Sequence, residues 1–340
     1  MRKDMPLNRR IVLASRPEGL PTEQNFGMEQ ASIPVAGPGQ ILLKTRWLSL
    51  DPYMRARMSA AKSYTPPIEV GGLMVGGTIG EVVESNVPGF QAGDLVLSNS
   101  GWQEYAVAGP KSVHKLDTDG LPVTTALGVL GMPGLTAYVG LNDIGQPKPG
   151  ETVVVSAAAG AVGSVVGQLA KLKGARAVGI AGGAEKCAFV VDELGFDACV
   201  DYKAPNFKEA LAAACDNGVD VYFDNVGGRV ADAVFDLLNT FARVPLCGRI
   251  GNLNDTALPE GPDRVPALLS TILTRRLHVQ GFIVSDHWHR NDAFLEEVGA
   301  LVKSGQLRYR EDVTEGLENA VPAFLGLLQG KNLGKALVKL

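Results

Sequence analysis

The run 151–163 constrains the fold of this 340-residue chain more than any other segment, because an apolar stretch leads there into a turn of small residues. Thr152–Ser156 is rich in β-branched residues, and apolar residues continue at helical spacing after Gly160 and Gly163. Only small residues let such a turn approach a pyrophosphate, whose charge would lie against the free N–H groups and positive end of the following helix. The run matches the dinucleotide-binding pattern G-x-G-x-x-G, with Ala158 in place of the first glycine. The alternative is ordinary packing of a helix against a strand.

Beyond Gly150, short apolar segments alternate with longer segments of helical pattern, which predicts βαβ units and a parallel sheet. We expect six strands, at Thr152–Ser156, 177–181, Ala198–Asp201, 219–224, 242–247 and 278–283. Strands and helices in this alternation are typical of a doubly wound α/β fold.

The preceding part of the chain has a different pattern. From about residue 8 to residue 128 it is rich in Gly and Pro and contains short β-type runs at 40–45, 80–84 and 94–97, which predict an all-β module. The chain ends in 334–339, a strand that we expect to rejoin this module. Because the length exceeds what one hydrophobic core usually supports, we predict two domains. The first is discontinuous, comprising 1–128 and 305–340, and the second comprises 129–304.

The segment about 20 residues beyond the turn bears on the choice of dinucleotide, since an Asp or Glu there would grip the ribose of NAD. The sequence instead has Gly182 and Gly183, followed by Glu185 and Lys186. The glycine pair leaves room and Lys186 adds a cation, which suits a 2′-phosphate and therefore NADPH. The alternative is that Lys186 is a solvated helix charge, and Glu185 is expected to face away from the ribose.

A second polar group of residues follows the fourth predicted strand, where ligands of open α/β sheets bind. It runs from Asp224 to Gly228, and Asn225 within it can meet a ribose or a nicotinamide. The alternative is an Asx-turn that only closes the strand. Cys247 and Gly248 end the fifth strand in the same crevice.

Charge and hydropathy exclude several classes of protein. The formal net charge of -4 argues against a nucleic-acid-binding protein. No apolar run approaches the roughly 20 residues of a membrane span. The first residues show no apolar stretch ending in a cleavage site, so we expect no secretory signal and a cytoplasmic location. The cysteines show no C-x-x-C pair and no histidine at ligand spacing, so we expect reduced thiols rather than a disulfide; they are Cys187, Cys199, Cys215 and Cys247.

Further stretches are spread over nearly the whole chain and together resemble one family. They are 13–19, 51–55, 131–138, 157–163, 223–228 and 332–335. The chain resembles the alkenal/one oxidoreductases of the medium-chain dehydrogenase/reductase superfamily, the group of prostaglandin reductases, leukotriene hydroxydehydrogenases and curcumin reductases. Residues 62–67 and 182–187 are most similar to the curcumin reductase branch.

The resemblance implies an α/β protein in which a GroES-like, β-rich catalytic domain is joined to a Rossmann domain with a doubly wound parallel sheet. It also implies that NADPH binds between them and that the double bond of α,β-unsaturated ketones or aldehydes is reduced. Lys186 and Tyr202 would hold the 2′-phosphate, and Phe282, Val284 and Asn332 would lie at the nicotinamide end. Motif and resemblance together assign these residues to the cofactor: Gly134, Thr136, Ala159, Gly160, Ala161, Val162, Gly163, Gly182, Lys186, Tyr202, Asn225, Cys247, Gly248, Phe282, Val284 and Asn332.

The same resemblance implies a homodimer formed through the edge of the Rossmann sheet, with 278–283 at the interface. Taken alone, that run is equally consistent with a buried strand.

The expected catalytic group is a tyrosine. Many family members carry a Tyr after the fifth strand, where this sequence has Leu253. Tyr64 matches the tyrosine implicated in the curcumin reductase branch and is the expected donor to the substrate carbonyl, together with a ribose hydroxyl of the cofactor. Either Tyr64 or water would protonate the α-carbon. The alternative is a surface-loop tyrosine. We expect Tyr53, Tyr64, Leu253 and Ser285 around the substrate.

Zinc-dependent members of the superfamily place Gly-His-Glu and a cluster of cysteines in the first domain. This sequence has only Gly, Val, Leu and Met at 70–77, and all four cysteines follow Lys186. Ligands at the usual spacing are therefore missing, and we expect no zinc. Two other functions stay open, a quinone reductase of the same superfamily and a non-enzymatic NADPH-binding protein.

Overall fold

The computed structural model describes residues 7–117, 120–257 and 261–340. Its strands are β1 (Leu7–Leu13), β2 (Phe26–Ser32), β3 (Ile41–Ser49), β4 (Thr78–Ser85), β5 (Leu95–Ser98), β6 (Tyr105–Ala108), β7 (Val113–Lys115), β8 (Thr152–Ser156), β9 (Arg176–Ala181), β10 (Ala198–Asp201), β11 (Val219–Phe223), β12 (Leu238–Leu246), β13 (His278–Gly281), β14 (Glu311–Glu315) and β15 (Lys335–Lys339). Its α-helices are α1 (Tyr53–Arg57), α2 (Met132–Val139), α3 (Gly163–Leu172), α4 (Ala184–Ala188), α5 (Phe207–Ala214), α6 (Gly228–Phe235), α7 (Val265–Arg275), α8 (Asn291–Lys303) and α9 (Ala320–Leu328). None of the helices in these ranges is both long and apolar enough to cross a membrane.

The chain divides into two compact units. The first combines Met1–Leu127 with Glu311–Leu340, and the second is Gly128–Arg310. Residue 128 and residues 305–310, which were predicted to lie in the first domain, therefore belong to the second unit. Of these, 305–310 are the larger difference. The side chain of Gln168 on α3 holds them there, because it donates to the carbonyl oxygen of Arg308 and accepts from its amide, both at 2.8 Å.

The first unit is β-rich. Six of its strands follow the order β14-β15-β3-β4-β5-β7, β6 also pairs with β3, and β1 and β2 form a separate antiparallel pair. Its core contains the fully buried Trp102, whose ring stacks on Phe26 at 6.0 Å and meets Phe324 edge-on at 5.6 Å. Phe324 lies on α9 near the end of the chain, so both ends of the sequence contribute to one core.

The second unit contains a six-stranded parallel sheet in the order β10-β9-β8-β11-β12-β13. This order reverses direction at β8, as in a doubly wound fold, and it confirms the predicted fold class. β8 and β10 have the predicted bounds. β12 begins at Leu238, four residues before the predicted start at 242. Leu238 pairs with Val219, and the strand then continues through an irregularity at Phe241, whose φ is 66°. The last strand ends at Gly281, two residues earlier than predicted.

Candidate functional site

The turn between β8 and α3 is built as tightly as its sequence predicts. Ala157 has a positive φ of 51°, and its carbonyl oxygen accepts the Gly160 amide at 2.9 Å. A Cβ atom added at Gly163 would lie 2.3 Å from that same oxygen, so no other residue fits there without a backbone shift. At Gly160 the corresponding distance is 3.2 Å, which is crowded but less severe.

The start of α3 provides the polar groups that a pyrophosphate needs. The first amides of an α-helix have no carbonyl partner within the helix, and the helix dipole adds positive potential at this end. In α3 the amides of Ser164 and Val165 donate to the carbonyl oxygens of Gly160 and Val162, so the amides that precede Ser164 are the candidates for the ligand. Ala161 and Val162 precede the helix and are only partly buried, whereas Ala159 is buried. The segment 159–163 therefore fits the diphosphate of a dinucleotide.

A second turn follows β9, at Gly182 and Gly183. The carboxylate of Asp201 accepts the amides of Gly183 and Lys203, both at 2.9 Å, and so ties this turn to the end of β10. A Cβ atom at Gly182 would lie 2.8 Å from the ring of Tyr202. The glycine is therefore required by the close approach of Tyr202, which the sequence analysis had placed at the same end of the cofactor.

Cations surround this turn. The guanidinium of Arg229 lies 5.5 Å from the centroid of the Tyr202 ring and donates to the Tyr202 carbonyl oxygen at 3.1 Å. The Lys203 ammonium lies 5.9 Å from the same centroid. Lys186 is on α4, which begins directly after the turn, while Glu185 is exposed. The donors around Tyr202 thus have the chemistry that a phosphorylated ribose requires.

Two of these cations, Lys203 and Arg229, are not among the residues predicted from the sequence to bind the cofactor. Lys203 directly follows Tyr202, so adjacency was a usable signal. Arg229 comes from the first turn of α6, and only the parallel arrangement of the strands brings it to Tyr202.

A buried carboxylate organises the end of β11. Asp224 is 2% exposed, and its Oδ1 accepts hydrogen bonds from the Tyr222 hydroxyl at 2.8 Å and from the amides of Val226 and Gly227 at 2.9 Å. Its Oδ1 also accepts the Ser156 hydroxyl at 3.2 Å, which connects β11 to β8. Asp224, which was predicted to begin this polar group but was given no role of its own, therefore closes the turn.

Asn225 connects the same two strand ends. Its amide donates to the Ser156 hydroxyl oxygen at 2.8 Å, and its side-chain nitrogen donates to the Ser156 carbonyl oxygen at 2.7 Å. The alternative interpretation for Asn225 was an Asx-turn that closes the strand. In the structure Asp224, its neighbour, makes that turn by accepting the amides of Val226 and Gly227.

Cys247 and Gly248 lie beside Asn225. Their amides donate to the Asp224 carbonyl oxygen at 2.9 and 3.1 Å, and a Cβ atom at Gly248 would lie 3.1 Å from the Asn225 carbonyl oxygen. Burial, followed by the charge of Asp224, raises the pKa of Cys247 to about 12, so its thiol is neutral. The structure thus brings Asn225, Cys247 and Gly248 together at the carboxyl ends of the central strands, where such folds bind ligands.

The remaining predicted cofactor residues of the second unit have evident packing roles. A Cβ atom at Gly134 would lie 2.0 Å from the Val129 carbonyl oxygen, and the buried Thr136 hydroxyl donates to the Met132 carbonyl oxygen at 2.7 Å. The buried Phe282 ring meets Phe223 edge-on at 6.3 Å. Val284 and Ser285 begin the 3₁₀ helix Val284–Arg290, and Leu253 directly follows the 3₁₀ helix Ile250–Asn252. Ser285 is exposed, and the other two residues are partly buried.

The first unit holds the tyrosines. Tyr64 follows α1 in a loop and is 57% exposed. Burial raises the pKa of Tyr64. Burial and the charge of Asp51 raise the pKa of Tyr53. The charge of Arg57 opposes both shifts. Tyr64 also contributes to the shift at Tyr53, so the two predicted pocket tyrosines lie in one neighbourhood.

A buried ion pair joins two stretches that carried the family resemblance. Lys335 is 3.2 Å from the Asp51 carboxylate and donates to the carbonyl oxygens of Leu50 and Ala336. Burial lowers the pKa of Lys335, and Asp51 opposes that shift. Asn332 donates to the Gly334 carbonyl oxygen at 2.8 Å in the turn before β15. Within residues 7–117, 120–257 and 261–340, no group of three or more His, Cys, Asp or Glu is placed to hold a metal ion.

Comparisons with known proteins cover both units. A family model described as the N-terminal domain of oxidoreductase matches residues 9–116, and one described as zinc-binding dehydrogenase matches residues 161–300. The NADPH-dependent curcumin reductase of Escherichia coli (strain K12) is 55% identical over 98% of this chain and 96% of that protein. Prostaglandin reductase 1 of Rattus norvegicus is 43% identical over 95% of this chain and 96% of that protein.

Solved structures agree with these relatives. The crystal structure of CurA from Vibrio vulnificus in complex with NADPH has a TM-score of 0.94 and 53% identity, covering 97% of this chain and 98% of that one. The chain therefore belongs to the medium-chain dehydrogenase/reductase superfamily, in the group that contains the curcumin reductases and prostaglandin reductases.

Proposed function

We propose that this chain is an NADPH-dependent reductase of the carbon–carbon double bond of α,β-unsaturated ketones and aldehydes. The observation that carries the proposal is the group of Gly182, Tyr202, Lys203 and Arg229, whose size and charge suit a 2′-phosphate. Its relatives named above support it, one as an NADPH-dependent curcumin reductase and one in complex with NADPH. When bound, NADPH supplies a hydride for the β-carbon of the substrate.

We assign the hydrogen-bond donor Tyr64 to the first unit, and all proposed cofactor residues except Asn332 to the second. Residues 159–163 bind the diphosphate, and Lys186 joins the cations around Tyr202 at the 2′-phosphate. Asn225, Cys247 and Gly248 bind the middle of the cofactor. Residues assigned to its nicotinamide end are Gly134, Thr136, Phe282, Val284 and Asn332.

Tyr64 acts on the substrate. Negative charge develops on the carbonyl oxygen as the double bond is reduced, and a hydrogen-bond donor at that oxygen lowers the barrier. The raised pKa of Tyr64 keeps its hydroxyl protonated at neutral pH, so it donates without prior activation. The proton for the α-carbon comes from Tyr64 or from water. The other residues that we assign to the substrate are Tyr53, Leu253 and Ser285.

A substrate panel with product identification tests the reaction. Alkenals, alkenones, curcumin-like dienones and a quinone are each offered with NADPH and with NADH. We expect saturated carbonyl products by mass spectrometry and faster turnover with NADPH. Turnover of the quinone alone would favour a quinone reductase, and tight NADPH binding without any turnover would favour a non-enzymatic role.

We also propose that the reaction needs no zinc. Segment 70–77, where zinc-dependent members carry a ligand, holds only Gly, Val, Leu and Met, and the four cysteines all lie in the second unit. Prolonged treatment with a strong chelator is therefore expected to leave kcat unchanged. A loss of activity that added zinc restores would contradict this, because a zinc enzyme depends on the metal as its electrophile.

Finally, we propose that the chain forms a homodimer through β13 and α7. β13 is the edge strand of the parallel sheet, and an unpaired edge offers N–H and C=O groups to a second chain. The neighbouring helix α7 has no buried residue, and apolar side chains along it are exposed, among them Leu269 at 59% and Leu273 at 76%. A helix with an apolar stripe is normally covered by another element, and a second copy of this surface would cover it.

A further inference from the structure

Two cysteines lie together beside the proposed 2′-phosphate site. Cys187 is on α4 and Cys199 is on β10, and their sulfur atoms are 3.2 Å apart. Both are partly exposed free thiols. Cys199 pairs in register with Gly179, where an added Cβ atom would lie 3.3 Å from the Cys199 sulfur, so the absence of a side chain at Gly179 makes room for that thiol.

The two thiols differ in their surroundings. Cys199 donates a hydrogen bond to the Cys187 sulfur, which lowers the pKa of Cys187 and raises that of Cys199. Burial and the charge of Asp201 oppose the lowering at Cys187, and the Ala181 amide supports it. Because the thiolate is the nucleophile in thiol oxidation, Cys187 is the attacking residue and Cys199 the resolving one.

We propose that Cys187 and Cys199 are a redox-active pair that hydroperoxides close to a reversible disulfide at the edge of the cofactor site. The Cys187 thiolate attacks one peroxide oxygen, the O–O bond breaks, and Cys187 becomes a sulfenic acid while an alcohol or water leaves. The Cys199 sulfur then attacks the Cys187 sulfur, the S–O bond breaks, and water leaves with the thiol proton. The two thiols lose two electrons in total, and the peroxide accepts them.

The bond would alter the cofactor site through the elements that carry it. A disulfide brings its sulfur atoms to about 2 Å, so the two side chains, which are 3.2 Å apart at sulfur, must rotate or shift together with the ends of α4 and β10 that carry them. Lys186 immediately precedes Cys187, and Tyr202 follows shortly after Cys199. We therefore expect the KM for NADPH to rise several-fold with little change in kcat. This consequence, unlike the bond itself, rests on the proposed function.

Peptide mapping of the full-length protein tests the bond. Both cysteines lie on one tryptic peptide, 187–203, which contains Glu193 between them. After hydrogen peroxide treatment the mass of this peptide should fall by two hydrogens, and its cysteines should resist alkylation. After cleavage at Glu193 the two fragments should stay joined by the disulfide until dithiothreitol is added. The C215S variant, which removes a buried thiol whose pKa burial raises to about 11, should behave as wild type. C199S should instead give a sulfenic acid at Cys187 that dimedone traps.

Alkylation of both cysteines after peroxide treatment, or bonds to Cys215 or Cys247 instead, would overturn the pair. The kinetic consequence is measured separately, by the KM for NADPH of oxidised wild type and of peroxide-treated C187S. A rise confined to wild type and reversed by dithiothreitol is expected, and an equal KM in both would overturn the coupling to the cofactor. Absence of NADPH turnover in the reduced protein would count against the proposed function alone, because peptide mapping requires no turnover.

Discussion

The Tyr64 hydroxyl is the group through which this chain is proposed to act directly on the substrate. Tyr64→Phe removes only the donor, so kcat on a good enone should fall roughly 10²-fold, as it does when one donor to a developing oxyanion is lost. The KM for NADPH should stay nearly constant, because the hydroxyl acts on the substrate. Steady-state kinetics with varied enone and varied NADPH measure both quantities.

Tyr105→Phe is the matched control, since Tyr105 lies on β6 of the same unit and the Lys44 ammonium lies 5.9 Å from the centroid of its ring. Unchanged kcat in Tyr64→Phe would identify Tyr64 as a surface-loop residue. Lost NADPH binding would assign it a structural role instead.

The cations around Tyr202 should decide between the two nicotinamide cofactors. A charge-assisted hydrogen bond contributes about 1.5–3 kcal/mol, and solvent screening of exposed side chains such as Lys203 and Arg229 reduces this. Lys186→Ala and Arg229→Ala should therefore each raise the KM for NADPH up to about tenfold and leave that for NADH nearly unchanged. Initial rates with each cofactor provide the measurement.

Lys173→Ala controls for a general loss of positive charge, because Lys173 is exposed at the far end of α3. An equal rise for NADH and NADPH in the two test variants would show that their side chains do not recognise the phosphate.

The positions of individual candidate residues were predictable from sequence where the motif is local. Gly160, Gly182 and Asn225 lie in turns that follow strands identified by apolar periodicity, and Gly163 begins α3 directly after the first of these turns. Asp224 was not predictable as the centre of its turn, because its partner Ser156 is 68 positions away in sequence. Contacts of this kind depend on which strands are neighbours in the sheet, and the order of strands cannot be read from short sequence patterns.

At the scale of elements, uniform burial made prediction accurate. Every residue of β8 is buried, and its continuous apolar run gave the observed bounds Thr152–Ser156. In β12 the exposed Phe241 with positive φ interrupts the pattern, and the pairing of Leu238 extends the strand beyond that interruption. Alternation of apolar residues cannot reveal a strand that continues through a bulge.

The turn between β8 and α3 allows a sharp test on one element. In Gly163→Ala the new methyl group would meet the Ala157 carbonyl oxygen at 2.3 Å, whereas in Gly160→Ala it would meet the same oxygen at 3.2 Å. Forcing a methyl group into a packed site typically costs about 1–3 kcal/mol. Gly163→Ala should therefore lower the melting temperature and weaken NADPH binding more than Gly160→Ala does.

Thermal unfolding and fluorescence titration with NADPH measure these two effects. Equal and small changes in both variants would mean that the turn adapts to a side chain, and the glycine pattern would then lose its physical basis.

At the scale of the whole molecule, the last strand of the chain joins the sheet of the first unit. The predicted strand 334–339 corresponds to β15, which pairs with β3 and places Lys335 against Asp51. The pattern of apolar residues indicated the strand, but not the ion pair, because a lysine within a strand normally indicates an exposed position. The lysine can be buried because the Asp51 carboxylate and two backbone carbonyl oxygens surround its ammonium group.

The state of assembly gives the last prediction. Fully burying a leucine stabilises an interface by about 1.5–3 kcal/mol, and Leu269 and Leu273 lie one helical turn apart on the exposed face of α7. Wild-type protein should therefore sediment as a dimer, and a variant carrying Leu269→Lys and Leu273→Lys should sediment as a monomer, because four lysines would meet across a two-fold axis. Analytical ultracentrifugation over a range of concentrations makes the measurement, with Val35→Lys as the control, since Val35 is an exposed apolar residue of the first unit. A monomeric wild type would contradict the dimer itself, whereas a double variant that remains dimeric would move the interface away from α7.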